Sequence, residues 1–259
     1  MTRAASGRSR ERNEPRGLGG DQVEGRNAVH ELLAAGRRAV HEVWVAPAGD
    51  APVVDAILEL AAAARVPVRR VDPDALATRA RTDAPQGVIA RAAPVEMADL
   101  DALLRAPDAF LVALDGVTDP GNLGAVLRVA DTAGVTGVVL PRHRAARLTP
   151  AAVKAAAGAV EHVPITSVAG IPALLERARR DEVWSVGLDA DGTADVFDLP
   201  VATGPVIVVL GAEGAGLSRL TRDRCDVIAR IELHGSLESL NVATAAAVAC
   251  HAIAHQRRH

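Results

Sequence analysis

Two uninterrupted apolar runs, Phe110 to Leu114 and Pro205 to Leu210, each end in a glycine-bearing turn that opens a new segment. A short run with no polar alternation reads as a strand covered on both faces, as in a parallel sheet flanked by helices. The first run leads into Asp119-Pro120-Gly121-Asn122-Leu123-Gly124-Ala125-Val126-Leu127-Arg128, and Leu123, Val126, Leu127 and Ala130 recur at helical spacing. Strands are expected near 110–114, 136–140, 163–166, 183–188, 205–210 and 227–231, and helices near 122–133, 150–157, 170–180, 217–222 and 240–256. Such alternation predicts a mainly parallel α/β sheet that meets its ligands at the C-terminal ends of the strands.

Asn122, Gly124 and Arg128 fall on the first strand-to-helix turn and the helix after it. Positions 124 and 128 share a helix face, so the glycine is expected to leave room for a ligand beside the arginine. An arginine there can grip phosphate or act on a sugar hydroxyl, or it is a surface arginine on an ordinary helix. The second run leads into Gly211-Ala212-Glu213-Gly214-Ala215-Gly216, with glycines at relative positions one, four and six. The dinucleotide fingerprint places them at one, three and six, which argues against a nicotinamide enzyme. These glycines still let backbone approach a ligand closely.

Upstream, a smaller α/β unit begins at Val23. Helices are expected over 27–35, 53–65 and 72–80 and strands over 40–45, 66–71 and 87–92, which suits a compact α/β/α sandwich. Arg26, Arg37, Arg38, Arg69, Arg70, Arg79, Arg81 and Arg91 give this unit local positive charge. Residues 1–20, with five Arg, two Glu and no apolar periodicity, read as a disordered tail. Residues 94–107 read as a linker with a short helix over 99–104, and 108–259 as the larger domain.

The net charge of −3 supplies no global basic field, so nucleic-acid binding must use local patches. The loop Arg142-His143-Arg144-Ala145-Ala146-Arg147 is the best such patch, unless it is only a solvated loop. Aromatics are 2% of the chain; Trp44, Phe110, Trp184 and Phe197 sit in apolar, strand-like surroundings and are expected in the core. Few rings remain for stacking single-stranded bases. Cys225 and Cys250 show no metal or disulfide spacing and are expected as buried free thiols. The absence of a signal peptide and of a long apolar span makes a cytoplasmic protein, away from membranes, the default expectation.

Three segments together carry a resemblance. Asn122 to Arg128 reads N-x-G-x-x-x-R, Gly211 to Gly214 reads G-x-E-G, and Ser239-Leu240-Asn241 reads S-L-N, in that order. They resemble motifs one, two and three of the SpoU-type (TrmH-like) RNA 2′-O-ribose methyltransferases of the SPOUT superfamily, over about residues 110 to 257. Gly25-Arg26-Asn27-Ala28-Val29 and Pro85-Gln86-Gly87-Val88 resemble the two ends of that family's substrate-binding domain.

The resemblance implies a C-terminal parallel-sheet domain tied in a trefoil knot, with an N-terminal α/β/α RNA-binding domain over 21–93. It implies S-adenosyl-L-methionine as cofactor, held by backbone at Gly211, Ile231 and Leu240. Arg128 would assist removal of the hydroxyl proton, or position phosphate and stabilise alkoxide charge. Asn122 would orient Arg128 or the ribose, and Glu213 would orient Arg128 or the substrate, unless it merely caps the next helix. Ser239 and Asn241 would cap the last helix and face the cofactor or the target hydroxyl. Arg26, Arg142, Arg144 and Arg147 are the candidate RNA contacts. The chain departs from the family at Glu232, where members often carry Pro, and at Ala243, where they often carry Ser. The family is homodimeric; the apolar helix over Val242 to Ala254 is a candidate interface, or simply core.

Within the family, the two-domain layout and Val117 to Gly124 look most like enzymes that methylate a guanosine of large-subunit ribosomal RNA. A tRNA loop or an antibiotic-resistance site in ribosomal RNA is the nearest alternative substrate. A noncatalytic RNA-binding or ribosome-assembly protein is an alternative of a different class.

Overall fold

A computed structural model describes residues 17–47, 52–236 and 239–258. The smaller unit comprises β1 (Gln22–Glu24), α1 (Arg26–Ala35), β2 (Val40–Val45), α2 (Pro52–Ala63), β3 (Val68–Arg70), α3 (Pro73–Arg79) and β4 (Val88–Ala92). After α4 (Leu100–Arg105), the larger unit runs β5 (Phe110–Asp115), α5 (Pro120–Ala133), β6 (Gly137–Pro141), α6 (Pro150–Ala155), a 3-10 turn (Ala159–Glu161), β7 (Ile165–Val168) and α7 (Ile171–Arg180). It closes with β8 (Trp184–Leu188), β9 (Ala194–Asp195), β10 (Val206–Gly211), α8 (Arg219–Arg224), β11 (Val227–Arg230) and α9 (Val242–Gln256).

The larger sheet has seven strands in the order β7-β6-β5-β10-β8-β11-β9, and every pairing in it is parallel. Its central strands carry the two apolar runs. Phe110, Val112 and Leu114 turn to one face with α5, α6 and α9, while Leu111 and Ala113 turn to the other with Leu104 of α4 and Ile171, Leu174 and Leu175 of α7. Both faces are therefore covered, which is why these strands show no polar alternation.

The smaller sheet has the order β1-β4-β2-β3. β1 and β2 run antiparallel to β4, and β3 runs parallel to β2. Alternate residues sort onto two faces: Val43, Val45, Val88 and Ala90 face α1 and α2, and Trp44, Ala46 and Ile89 face Leu76 of α3. The expected sandwich is present, with β1 added before its first helix. Glu24 of β1 is buried, and its carboxylate accepts from Gln22 Nε2 (2.7 Å), Arg81 N (2.7 Å), Thr82 N (3.1 Å) and Thr82 Oγ1 (2.5 Å). The three donors from Arg81 and Thr82 fasten the loop after α3.

Several expectations change. Gly17 to Gly20, assigned to a disordered tail, are laid against the connection and the larger unit: Leu18 N donates to Val95 O, and Gly20 N donates to Leu148 O. Residues 1–16 lie outside the described residues. Trp184 and Phe197 are exposed, at 49% and 59%, whereas Trp44 and Phe110 are buried. Trp184 is the first residue of its strand and Phe197 follows the short edge strand β9, so no further layer covers either. α9 spends Ala246, Ala249, Cys250 and Ile253 on the core, packed against α5. Burial pushes the thiols of Cys225, half-buried, and Cys250, buried, up to about 12. Among the described residues no helix is long and apolar enough to cross a membrane.

The two units share one apolar core and are fastened by Arg38, which was counted among the local positive charge of the smaller unit. Its guanidinium forks onto Glu161, with Nε to Oε2 at 2.9 Å and NH2 to Oε1 at 2.5 Å, and NH1 donates to the carbonyls of Gly20 and Ala93 at 2.7 Å each. The two side chains are only 7% and 3% exposed. Four of the five N–H donors of the fork are used, and the carboxylate compensates the buried charge. Around this lock, Arg37 donates to His162 O, Lys154 donates to Ala84 O, and Glu31 pairs with His162.

Removing one partner leaves the other charge buried and alone, so Glu161→Ala is expected to cost about 3–5 kcal/mol in urea unfolding. A loss below about 1 kcal/mol would show that the seam bears no such weight. A second test concerns Asp226, which accepts from Ser185 N and Oγ and from Arg179. Burial pushes its carboxyl up, but the hydrogen bonds from Ser185 and Arg179 outweigh that and leave it below its ordinary 3.8. A carboxyl lowered by folding stabilises the fold above its unfolded value and loses that contribution as pH falls through its folded value. The stability gap between the native chain and Asp226→Asn should hold from neutrality to about pH 5 and shrink below pH 3.8; a gap that widened on acidification would contradict the sign.

Candidate active site

The site lies where β5, β8, β10 and β11 end. Asp119 caps α5, its Oδ1 accepting from Asn122 N at 2.7 Å, and Pro120 occupies the first turn where its missing N–H costs nothing. This holds Asn122 at the mouth of the sheet. After β10 the chain doubles back: Ala212 N donates to Gly216 O (3.0 Å) and Gly216 N to Ala212 O (2.8 Å), which lifts Glu213 onto the turn. Asn241 caps α9, its Oδ1 accepting from Ala243 N (2.9 Å) and Thr244 N (3.4 Å).

The oxygen of the Asn241 amide is therefore committed to the helix, and its nitrogen faces outward with two donors. Nδ2 donates to Asn122 Oδ1 at 3.0 Å and to Glu213 Oε1. One amide thus ties together the three segments singled out in the sequence. Asn122 and Glu213, expected to orient Arg128, the ribose or the substrate, are both hydrogen-bonded to Asn241.

Beside this junction is a cavity of about 400 Å³. Gly211, Ile231 and Leu240 line it, as do Glu213 and Ser239. Its other walls include Leu188, Asp189 and Ala190 at the end of β8, and Leu233. The β8 residues were not singled out in the sequence, because only the strand order places β8 beside β10. Asp189 is fixed there by Arg222 NH1 at 2.5 Å. Gly211 has a different reason from the one expected: a Cβ on it would lie 2.1 Å from Gly216 C and 2.4 Å from Leu217 N. The returning loop, rather than a ligand, fills that space.

Gly124 is corrected in the same way. A Cβ there would meet Ala152 O at 2.3 Å and the Ala155 side chain at 2.5 Å, so the glycine serves the crossing of α5 and α6. Arg128 lies six residues past Asn122, about 120° away around the helix. It is exposed and lines a separate cleft between the two units, together with His30, Glu31, Asp131 and His162. Its guanidinium makes no hydrogen bond or ion pair among the described residues.

Arg142, Arg144 and Arg147 are exposed on the loop after β6, at the same end of the sheet as the cavity. That loop is anchored by Ala146 N, which donates to Val117 O just before α5. Arg26 differs from these three: it is half-buried, and its Nε donates to Gln86 O at 3.1 Å, so it also holds the start of α1 to the loop before β4. Of the two departures, Glu232 is exposed, and Ala243 contributes the backbone N–H that Asn241 accepts.

Comparison with known proteins matches the same two units. The SpoU rRNA Methylase family model matches residues 109–251, and that for RNA 2′-O ribose methyltransferase substrate binding matches residues 22–98. The chain is 38% identical over 242 residues to the 23S rRNA (guanosine-2′-O-)-methyltransferase RlmB of Pseudomonas aeruginosa, covering 92% of this chain and 97% of that one. It is 41% identical over 238 residues to the RlmB of a Burkholderia species, covering 91% and 96%. The crystal structure of the SpoU methyltransferase AviRb from Streptomyces viridochromogenes in complex with AdoMet superposes with a TM-score of 0.78 at 29% identity, over 92% of this chain and 90% of that one. With both units matched in order and relatives similar over nearly their whole length, the chain belongs to the SpoU rRNA methylase family.

Proposed function

We propose that this protein transfers a methyl group from S-adenosyl-L-methionine to the ribose 2′-hydroxyl of a guanosine in 23S ribosomal RNA. The observation that carries this reading is the Asn122–Asn241–Glu213 junction at the mouth of the 400 Å³ cavity. The cavity suits the cofactor: Leu188, Leu210, Ile231, Leu240 and Val242 offer apolar walls to an adenine, and the Asp189 carboxylate offers an acceptor to ribose hydroxyls. The likeness to an AdoMet-bound relative supports the same choice.

When bound, the cofactor would supply an electrophilic methyl to the 2′-oxygen and leave as S-adenosylhomocysteine, with the hydroxyl proton passing to solvent water. The chain's own residues must orient and stabilise. Asn241 fixes the turn bearing Glu213 and the start of α5 in one geometry, so the reacting oxygen meets a preorganised polar rim. An arginine guanidinium is a donor only and keeps its proton at neutral pH, so it does not take the hydroxyl proton. The role of Arg128 in this reading is to hold an RNA phosphate and to stabilise developing alkoxide charge. Ser239 faces the cofactor cavity, and the Arg142–Arg147 loop contacts RNA phosphate, where arginine pairs bidentately.

Residues 21–93 form the RNA-delivering domain, 94–107 the connection and 108–259 the methyltransferase domain. The late strand β10, inserted between β5 and β8, supports the trefoil knot implied by the resemblance. A homodimer, from the resemblance, and a cytoplasmic location, the default expectation from the sequence, complete the reading.

The decisive experiment transfers labelled methyl to total ribosomal RNA and tRNA and identifies the product nucleoside by mass spectrometry. 2′-O-methylguanosine in large-subunit RNA is the expected product. Label confined to tRNA would move the substrate, and no label with no cofactor binding would favour a noncatalytic RNA-binding protein. Arg128→Ala should lower turnover at least about a hundredfold with an unchanged melting temperature; near-normal turnover would remove its assigned role. Asn241→Ala should cost about 1 kcal/mol through the lost cap and also weaken S-adenosylmethionine binding. Unchanged cofactor affinity would separate the cap from the site.

A further inference from the structure

A second cleft lies apart from the cofactor cavity. It measures about 610 Å³ and lies between α1 and α2 of the smaller unit and α5 and the 3-10 turn of the larger one. That is the size of pocket that takes a nucleotide-sized ligand. Its wall from α2 is apolar, formed by Pro52, Val53 and Ala56, and Val53 is among the exposed large hydrophobic residues. Its polar groups come from both units, so the cleft exists only while the Arg38–Glu161 lock holds them together.

The charges in the cleft are divided in an unusual way. Glu31 is spent: Oε1 pairs with His30 Nδ1 and Oε2 with His162 Nε2, each at 3.0 Å. The hydrogen bond from His162, then that from His30, keeps the Glu31 carboxyl below its ordinary range. The chain bends to permit this contact, since Gly158 has φ +103° and any Cβ on it would lie 2.4 Å from the Glu31 side chain. Arg128 and Asp131 stand three residues apart on one face of α5, at a spacing that suits an ion pair. No ion pair or side-chain hydrogen bond engages either group among the described residues. One exposed cation and one exposed carboxylate therefore face the same cleft beside an apolar wall.

We propose that this cleft is a nucleotide subsite for an unpaired guanosine of the substrate RNA. Arg128 takes its phosphate, Asp131 takes the Watson–Crick edge of its base, and Pro52, Val53 and Ala56 cover one face of the ring. Guanine alone among the four RNA bases presents two adjacent N–H donors, N1–H and the N2 amino group, on that edge. A carboxylate accepts both at once, whereas uracil offers it one donor flanked by two carbonyls that repel it. Unstacked bases held against apolar side chains and read on that edge are a common way to recognise single-stranded RNA. The inference rests on the reading of the chain as an RNA methyltransferase and adds the place where base identity is sensed.

The test is calorimetric titration of 5′-GMP, 5′-AMP, 5′-CMP and 5′-UMP into the full chain saturated with S-adenosylhomocysteine, which blocks the cofactor cavity. GMP should bind at least about tenfold more tightly than UMP. Asp131→Asn, at an exposed position that leaves the fold intact, should abolish that preference, and Ala56→Trp, which fills the cleft, should weaken all four nucleotides. Absence of binding, equal affinity for the four, or a preference that survives Asp131→Asn would overturn the subsite. Because this readout needs no turnover, it separates the two ideas: methyl transfer without GMP selectivity keeps the function and removes the subsite, and GMP selectivity without methyl transfer does the reverse.

Discussion

A guanidinium buried between two domains must have its charge paired and most of its donors accepted, or the seam cannot close. Arg38 meets that demand with one carboxylate and two carbonyls, drawn from the first strand's approach, the connection and the 3-10 turn. The consequences reach well beyond the pair. Glu161 fixes the turn whose next residue, His162, holds Glu31, and that contact sets one wall of the interdomain cleft. The attitude of the smaller domain, and so the surface offered to RNA, follows from the satisfaction of a single cation.

At the catalytic end a neutral group does the corresponding work. Asn241 can cap a helix and bridge two loops because its amide carries acceptor and donor on separate atoms. A Ser or Asp at that position would cap as well, but neither could donate twice outward while accepting inward. The cap requirement thus selects among residues that would otherwise serve, which ties the stability of α9 to the geometry of the site.

The sequence made the larger fold legible because both faces of its central strands are covered, so composition and spacing agreed. It was silent on β1 and β9, which are three and two residues long and carry no periodicity that could mark them. Residue types at the site were legible through the three motifs, but their mutual contacts were not. Gly124 and Gly211 were read as making room for ligand, whereas packing between chain segments decides both. Arg38 was counted with the local positive charge of the smaller unit, because nothing local distinguishes an arginine that will be buried against a carboxylate 123 residues away. Trp184 and Phe197 were misplaced because hydrophobicity says nothing about where a sheet runs out of neighbours.

The order of strands in the large sheet has a consequence for how the chain acquires its structure. Its central strand, β10, pairs with β5 across a separation of 96 positions, from Phe110 to Val206. Until β10 has been synthesised, β5 has no partner on that side and its backbone edge stays open. Contacts so distant along the chain close slowly, because loop entropy is lost before the pairing compensates it. The first domain can form while the rest is still being made, but the middle of the second cannot. Completion of this sheet is therefore a late event, and the nascent chain carries an open strand edge at β5 until β10 emerges.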